Sequence, residues 1–280
     1  MKPITLDDVS VGIRELPALP AVVLQLLESF DNDRVDTTEL GRKISQDQAL
    51  VAKVLRVANS SFYGMQGRVA SMQDAIVVLG FRSVRTLVVA AAVTGSFPST
   101  NREWFDQQAF WKHSLAVGLA ARTFADALGI NTDHAFTAGL LHDIGRQVLV
   151  TCFPDHYKAV VEARRTRDCF SIEAEQAVLG FDHTQVGAAL AARWKFAPAI
   201  GEAVRLHHNV SGKDAPPTAA LIHLADVTAH VLDLTGDPAA LVPSLDAASW
   251  NRFGVGWPEY KRRLATIEDQ HRSASLLLAA

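Results

Sequence analysis

The property that most constrains this 280-residue chain is a helical period that is never replaced by alternation. Sustained polar/apolar alternation, the mark of a half-buried strand, is absent throughout. Alanine, the residue of highest helix propensity, occupies 42 positions. Between Asp47 and Asn59, Leu50, Val54 and Val57 recur at i, i+4 and i+7, while Lys53 and Arg56 point away. The segments Pro20–Phe30, Thr37–Ile44 and Ser71–Leu79 read the same way. Asp36 with Glu39, Ser45 with Gln48, and Ser71 with Asp74 have the spacing of capping boxes. Gly41, Gly64, Gly67, Gly80 and Gly95 punctuate the first part of the chain. An all-α, multi-helix bundle is the predicted fold.

The turn-rich stretch Gly95-Ser96-Phe97-Pro98-Ser99-Thr100-Asn101 is the best internal boundary. A long helix is predicted from Trp104 to Leu128, stopped by Gly129. Further helices follow over Asp133–Leu149, Asp155–Arg167, Ser171–Leu179, Asp182–Phe196, Pro198–His208 and Pro217–Leu234. Pro198 and Pro217 suit a first helical turn. Beyond Gly236 the pattern weakens until a last helix, Pro258–Arg272. Two lobes are therefore expected, 10–100 and 101–235, with an extension over 236–280.

Charge and cysteine usage remove several function classes. The net charge of −3 lacks the basic excess of a nucleic-acid binder, so no nucleic-acid partner is expected. Cys152 and Cys169 are too few for a disulfide framework or a four-thiolate zinc site. The longest strongly apolar run, Leu87 to Val93, is far short of a membrane span. The opening residues Met1 to Asp8 carry acids where a signal peptide would be apolar. A reduced cytoplasm, with no membrane partner, is the expectation.

The histidines are unevenly placed: there are ten, and none precedes His113. His113 shares a helical period with Phe110, Val117, Phe124 and Leu128. His142 and Asp143 follow Ala135, Ala138 and Gly139, a small-residue face that lets another backbone approach. His183 begins a stripe continued by Val186, Leu190 and Trp194. His207 and His208 end a helix whose inner side carries Ile200 and Val204. Asp226 shares its face with Ala219, Ile222 and Ala229.

A single histidine on an apolar face is more often a hydrogen-bonded core residue than a ligand. Buried carboxylates, however, are costly unless paired or bound to a metal. Imidazole and carboxylate without thiolate suit iron, manganese, zinc or magnesium. His113, His142, Asp143 and Asp226 would hold one divalent ion with positions left for water. His183 with His207 or His208 would build a second, bridged by Asp143. Paired ions of this kind activate water and clamp a phosphoester. A metal-free polar core is the bland alternative, and it requires every buried group to be satisfied. His134, His156, His223, His230 and His271 are read as ordinary.

The order of this set resembles the HD superfamily of metal-dependent phosphohydrolases. Phe136-Thr137-Ala138-Gly139-Leu140-Leu141-His142-Asp143-Ile144-Gly145-Arg146 looks like its signature helix. Asp182-His183-Thr184-Gln185-Val186-Gly187, Arg193-Trp194, His207-His208 and Leu224-Ala225-Asp226-Val227 match its later blocks in order. In the first half, Leu16-Pro17-Ala18-Leu19-Pro20, Ile44-Ser45-Gln46-Asp47, Leu55-Arg56-Val57-Ala58-Asn59-Ser60 and Ala75-Ile76-Val77-Val78-Leu79-Gly80 look like the leading lobe of the HDOD (HD-related output) domain. The resemblance spans about residues 10 to 235.

It implies two readings. HDOD domains are regarded as signalling modules, which implies a regulatory protein acting mainly through signalling protein partners, with an HD-type metal site. The alternative is an active phosphohydrolase on a nucleotide or phosphodiester, with ion one on His113, His142, Asp143 and Asp226, and ion two on Asp143, His183, His207 and His208. Asp143 and Arg146 would then be catalytic, Arg146 gripping phosphate. Related HD-GYP cyclic di-GMP phosphodiesterases carry a lysine where Arg146 stands. They also have a Gly-Tyr-Pro word after the paired histidines, where Asn209-Val210-Ser211-Gly212-Lys213-Asp214 follows here. Ala109, one turn before His113, stands where a third-metal ligand would need a glutamate. These departures argue against that particular activity.

Overall fold

Local capping chemistry sets most of the helix starts. The computed structural model describes residues 2–28, 36–59, 69–100, 102–211, 214–234 and 240–274. Phe30, Ser60, Gly64, Gly67, Asn101, Gly212, Lys213 and Gly236, and the side chain of Val57, lie outside the described residues. Helix α1 (Leu6–Glu15) begins with a complete capping box between Thr5 and Asp8. It is followed by α2 (Ala21–Glu28), α3 (Thr37–Ile44), α4 (Gln48–Ala58), α5 (Met72–Leu79) and α6 (Phe81–Gly95). Asp36 caps α3 through Thr38 and Glu39 amides, and Ser71 forms the capping box of α5 with Asp74. The box expected at Ser45 and Gln48 does not form. Ser45 ends α3, donating its hydroxyl to Gly41 O at 2.8 Å, and Asp47 caps α4 instead.

The second half starts with α7 (Gln107–Ala125). It begins after Trp104, because the Asp106 carboxylate accepts from Ala109 N at 2.9 Å and fixes the first turn there. A 3₁₀ turn, Asp126–Leu128, runs into Gly129, whose φ of 63° places it in the left-handed region. Then come α8 (Thr132–Leu141), α9 (Ile144–Cys152), α10 (Pro154–Arg167), α11 (Ser171–Leu179), α12 (His183–Arg193), α13 (Pro198–Leu206) and α14 (Pro217–Val231). The single helix expected from Asp133 to Leu149 is thus two, broken at His142 and Asp143, where Asp143 leaves helical backbone at φ −101°, ψ 8°. Beyond it, α15 (Ala247–Phe253) was not expected, and α16 (Trp257–Ala274) is the last helix among the described residues. No strand occurs among the described residues.

One continuous core runs through both halves, from Val9 and Val23 to Phe136, Leu190 and Ile267. Helix α1 lies against α9 and α12. The tie is polar as well as apolar. Arg193 donates to Arg14 O (2.8 Å) and Trp194 Nε1 to Pro17 O (3.3 Å). A buried ion pair, Arg85 with Asp133, joins α6 to α8, and Thr86 Oγ1 donates to the same carboxylate at 3.2 Å. The extension packs onto α7: Phe124 meets Phe253 and Tyr260 at ring separations of 5.0 and 5.7 Å. Trp257 stays exposed. No helix among the described residues is long and apolar enough to cross a membrane.

Candidate metal centre

Glycines bring the site-bearing backbones together. At the α7/α8 crossing, a Cβ on Gly139 would lie 2.7 Å from Gly118 Cα, so neither helix could approach as it does with a side chain there. At the α9/α12 crossing, a Cβ on Gly145 would sit 2.8 Å from Gly187 N and from the His183 carbonyl carbon. This second contact sets Asp143 beside His183, because each lies within two residues of the crossing glycine or on the backbone it touches.

All seven residues anticipated from sequence converge in space. Six are buried, and His208 stands at the solvent edge. Asp143 Oδ1 lies 3.0 Å from His183 Nε2 and 3.7 Å from both His142 Nε2 and His207 Nε2. Asp226 Oδ1 lies 3.0 Å from His113 Nε2 and 3.7 Å from His142 Nε2. His142 therefore stands between two carboxylate centres. Donor atoms of Asp143, His183, His207 and His208 all fall within 4.8 Å of one another, as do those of His113, His142 and Asp143.

A third such group, His113, Asp226 and His230, was not foreseen. His230 Nε2 lies 3.4 Å from Asp226 Oδ1, one helical turn along α14. The i, i+4 spacing was the available signal. His223, on the same helix, is different. Its Nδ1 donates to His207 O (3.2 Å) and its Nε2 accepts from Asp246 N (3.1 Å), so both ring nitrogens are spent.

The imidazole tautomers follow from their other partners. A backbone carbonyl can only accept, so Nδ1 of His142 donates to Gly139 O and Nδ1 of His207 to Val204 O, each at 2.8 Å. His183 Nδ1 donates to the Glu175 carboxylate at 2.6 Å. When neutral, the His142 and His207 rings held this way turn a bare Nε2 lone pair toward Asp143. Two acceptors then face each other, which is repulsive unless a proton or a cation lies between them. His183, raised by Glu175 and Asp143, instead brings a proton to its contact with Asp143. Among the described residues, His183 Nε2, His207 Nε2 and Asp226 Oδ1 are all buried without an aligned hydrogen-bond partner. The donor set fits a divalent cation.

Glu175 is a second residue that sequence reasoning missed. It is fully buried on α11, where it also accepts from His183 N (2.9 Å) and from Tyr157 OH (3.1 Å). Tyr157 OH in turn accepts from Arg146 Nε at 2.9 Å, and Arg146 Nη1 donates to Asp143 Oδ2 at 2.8 Å. Asp143, Arg146, Tyr157, Glu175 and His183 thus form a closed ring of polar contacts. A carboxylate behind a ligating histidine fixes ring orientation and raises its basicity.

Burial pushes the His142 imidazole down to about 4, outweighing Asp143 and Asp226 beside it. His183 goes the other way: burial disfavours its charge, but Glu175 and Asp143 raise it to about 10. Burial alone would raise the Asp226 carboxyl, yet the His113, His142 and His230 imidazoles hold it below the usual range. The cluster opens into a cleft of about 370 Å³ lined by Asp143, Arg146, His183 and His230, and walled by Ala240, Leu241, Pro243 and Ser244 of the extension.

Two aspartates ringed by imidazoles from successive helices define a helical histidine–aspartate centre of the HD kind. The chain belongs to the HDOD domain family, whose profile matches residues 16–210. It is 29% identical to a candidate phosphohydrolase from Shewanella amazonensis SB2B, with a TM-score of 0.77 over 97% of this chain and 98% of that one. It is 28% identical to the MmoQ response regulator of Methylococcus capsulatus, with a TM-score of 0.50 over 89% and 98% of the two chains. An uncharacterised protein of Treponema pallidum is 28% identical over 225 residues, 79% of this chain. The matched segment is 43% of that relative, so the chain spans less than half its length.

Proposed function

We propose that this chain is a regulatory output module that acts through signalling protein partners, its second lobe holding one or two divalent cations. The observation that carries the metal assignment is the set of buried, unpartnered Nε2 and carboxylate atoms around Asp143 and Asp226. Asp143, His183, His207 and His208 would hold one ion. His113 and Asp226, with His142 or His230, would hold the other. Iron, manganese, zinc and magnesium all accept such donors. The likeness to a response regulator supports the signalling role.

The second reading, a phosphohydrolase acting on a nucleotide or phosphodiester, is favoured by Arg146. Its guanidinium is held by Asp143 and Tyr157 and lines the cleft, where it would meet a phosphate. The likeness to the Shewanella candidate phosphohydrolase points the same way. A bound divalent ion would supply water activation and neutralise phosphate charge. The chain's own part is to orient: Glu175 fixes the His183 ring, and Tyr157 fixes Arg146.

Metal analysis of protein purified without chelator tests the site. About one or two ions per chain are expected, and Asp143→Ala should abolish loading. Loaded protein that leaves a generic phosphodiester intact with manganese or iron present removes the hydrolase reading. Turnover that is lost in both His142→Ala and Asp226→Ala removes the purely regulatory one.

A further inference from the structure

Away from the histidine cluster, a cavity of about 720 Å³ opens where the two halves of the chain meet. Its wall takes Lys53 from α4, Thr94 and Gly95 from the end of α6, Arg102 from the connector, and Gln107 and Gln108 from the first turn of α7. That volume lies within the ~300–1,000 Å³ of small-molecule sites.

Two cations face this space without an ion pair among the described residues. Lys53, which helical periodicity turns away from the core face of α4, is half-buried. A Cβ on Gly95 would come 3.4 Å from its Nζ, so a glycine there leaves the amine its room. Lys53 makes no hydrogen bond or ion pair among the described residues. Burial, with Arg56 nearby, pushes its amine below the ordinary lysine value. The Arg102 Nε is buried without a hydrogen-bond partner among the described residues. Its guanidinium lies 5.4 Å over the Trp104 ring and forms no ion pair among the described residues. Two carboxylates share the wall, but neither forms an ion pair with these cations. Asp106 caps α7 at Ala109 N, and Glu103 is exposed.

A partly buried cation left unpaired is costly, and two of them from distant parts of the chain need an anion between them. A point-charge ammonium and a planar guanidinium together suit a phosphate better than either alone. The exposed Gln108 amide supplies a further group for the rest of a ligand, while Gln107 braces the wall through Thr100 N and Pro98 O. We propose that this cavity binds a small phosphorylated molecule, its phosphate held by Lys53 and Arg102, at a site separate from the histidine cluster. Such a ligand would join α4 to the start of α7, the helix that carries His113.

Inorganic pyrophosphate is the probe, titrated into the full chain by calorimetry and by tryptophan fluorescence, since Trp111 also lines the cavity. Saturable binding is expected in the wild type and in Asp143→Ala. The dissociation constant should rise at least roughly tenfold in Lys53→Met and in Arg102→Gln, about the loss of one charged hydrogen bond. Without ligand, Lys53→Met should melt higher than the wild type, because an unpaired charge has been removed. No saturable binding, binding unchanged in both cavity variants, or binding lost in Asp143→Ala would each overturn the proposal. So would a lower melting temperature for Lys53→Met.

Discussion

Replacing Gly145 with alanine places one methyl group at the α9/α12 crossing. Its Cβ would lie 2.8 Å from Gly187 N and the His183 carbonyl carbon, and closer still to the His183 carbonyl oxygen. Ordinary contact begins near 3.4 Å, so the helices must part by about 0.6 Å or more. Backbone atoms have no rotamer to yield, which puts the cost at the upper end of overpacking, about 3 kcal/mol. For a chain of this size that is a melting-temperature loss of about 5 °C. The same movement carries His183 away from Asp143, now 3.0 Å apart. Metal–ligand distances tolerate about ±0.2 Å, so loading should fall as well. Gly201→Ala is the matched control. Its Cβ would meet only Ala191 Cβ at 3.8 Å, and a helical alanine should stabilise by about 0.4–1 kcal/mol. Thermal melts and metal content of both variants are the assay. A Gly145→Ala protein that melts and loads like the wild type would refute this account of the crossing.

Glu175→Gln should weaken metal binding by about 10–100-fold, measured by competition with a chromophoric chelator, because His183 loses its carboxylate. In metal-free protein, His183 is raised from 6.5 to about 10 on folding. Its contribution to stability is therefore complete below pH 6.5 and lost as pH climbs toward 10, which denaturant melts across that window will register. Arg85→Met leaves the Asp133 carboxylate buried with Thr86 as its side-chain donor. It should cost about 3–5 kcal/mol in urea unfolding, with much of that loss recovered in the Arg85→Met, Asp133→Leu double variant.

Helix termini were readable where the chemistry is local. Gly129, Pro198, Pro217 and the Ser71–Asp74 box act through one or two bonds, and each falls at or beside an observed end. The break at His142 and Asp143 carries no such mark. The helical period runs straight through it without glycine or proline at the break, and the two pieces part onto different neighbours, α8 onto α7 and α9 onto α12. Helix α15, at seven residues, is too short for periodicity to register. The seven anticipated residues were visible through their order on successive helices. Glu175 was not, since an acid beside Gln176 on an amphipathic helix reads as solvent-facing. Only the fold reveals that α11 turns it inward to His183. His230 was hidden for a related reason: its significance depends on Asp226 being buried one turn away.

The seating of α1 has a thermodynamic consequence. The helices that deliver Asp143 and His183 are backed by a segment more than a hundred residues upstream, through Arg14, Pro17 and the carbonyl of Gly12, which accepts from Cys152 Sγ at 3.7 Å. Free energy gained at the cluster is therefore shared with the N-terminus. A cation at a hundred times its dissociation constant adds ~2.7 kcal/mol to the folded state. Amide exchange in α1 should slow when metal binds, although α1 contributes no donor to the cluster. Occupancy of the centre would in this way register in α1, as slower exchange of amides that touch no donor atom.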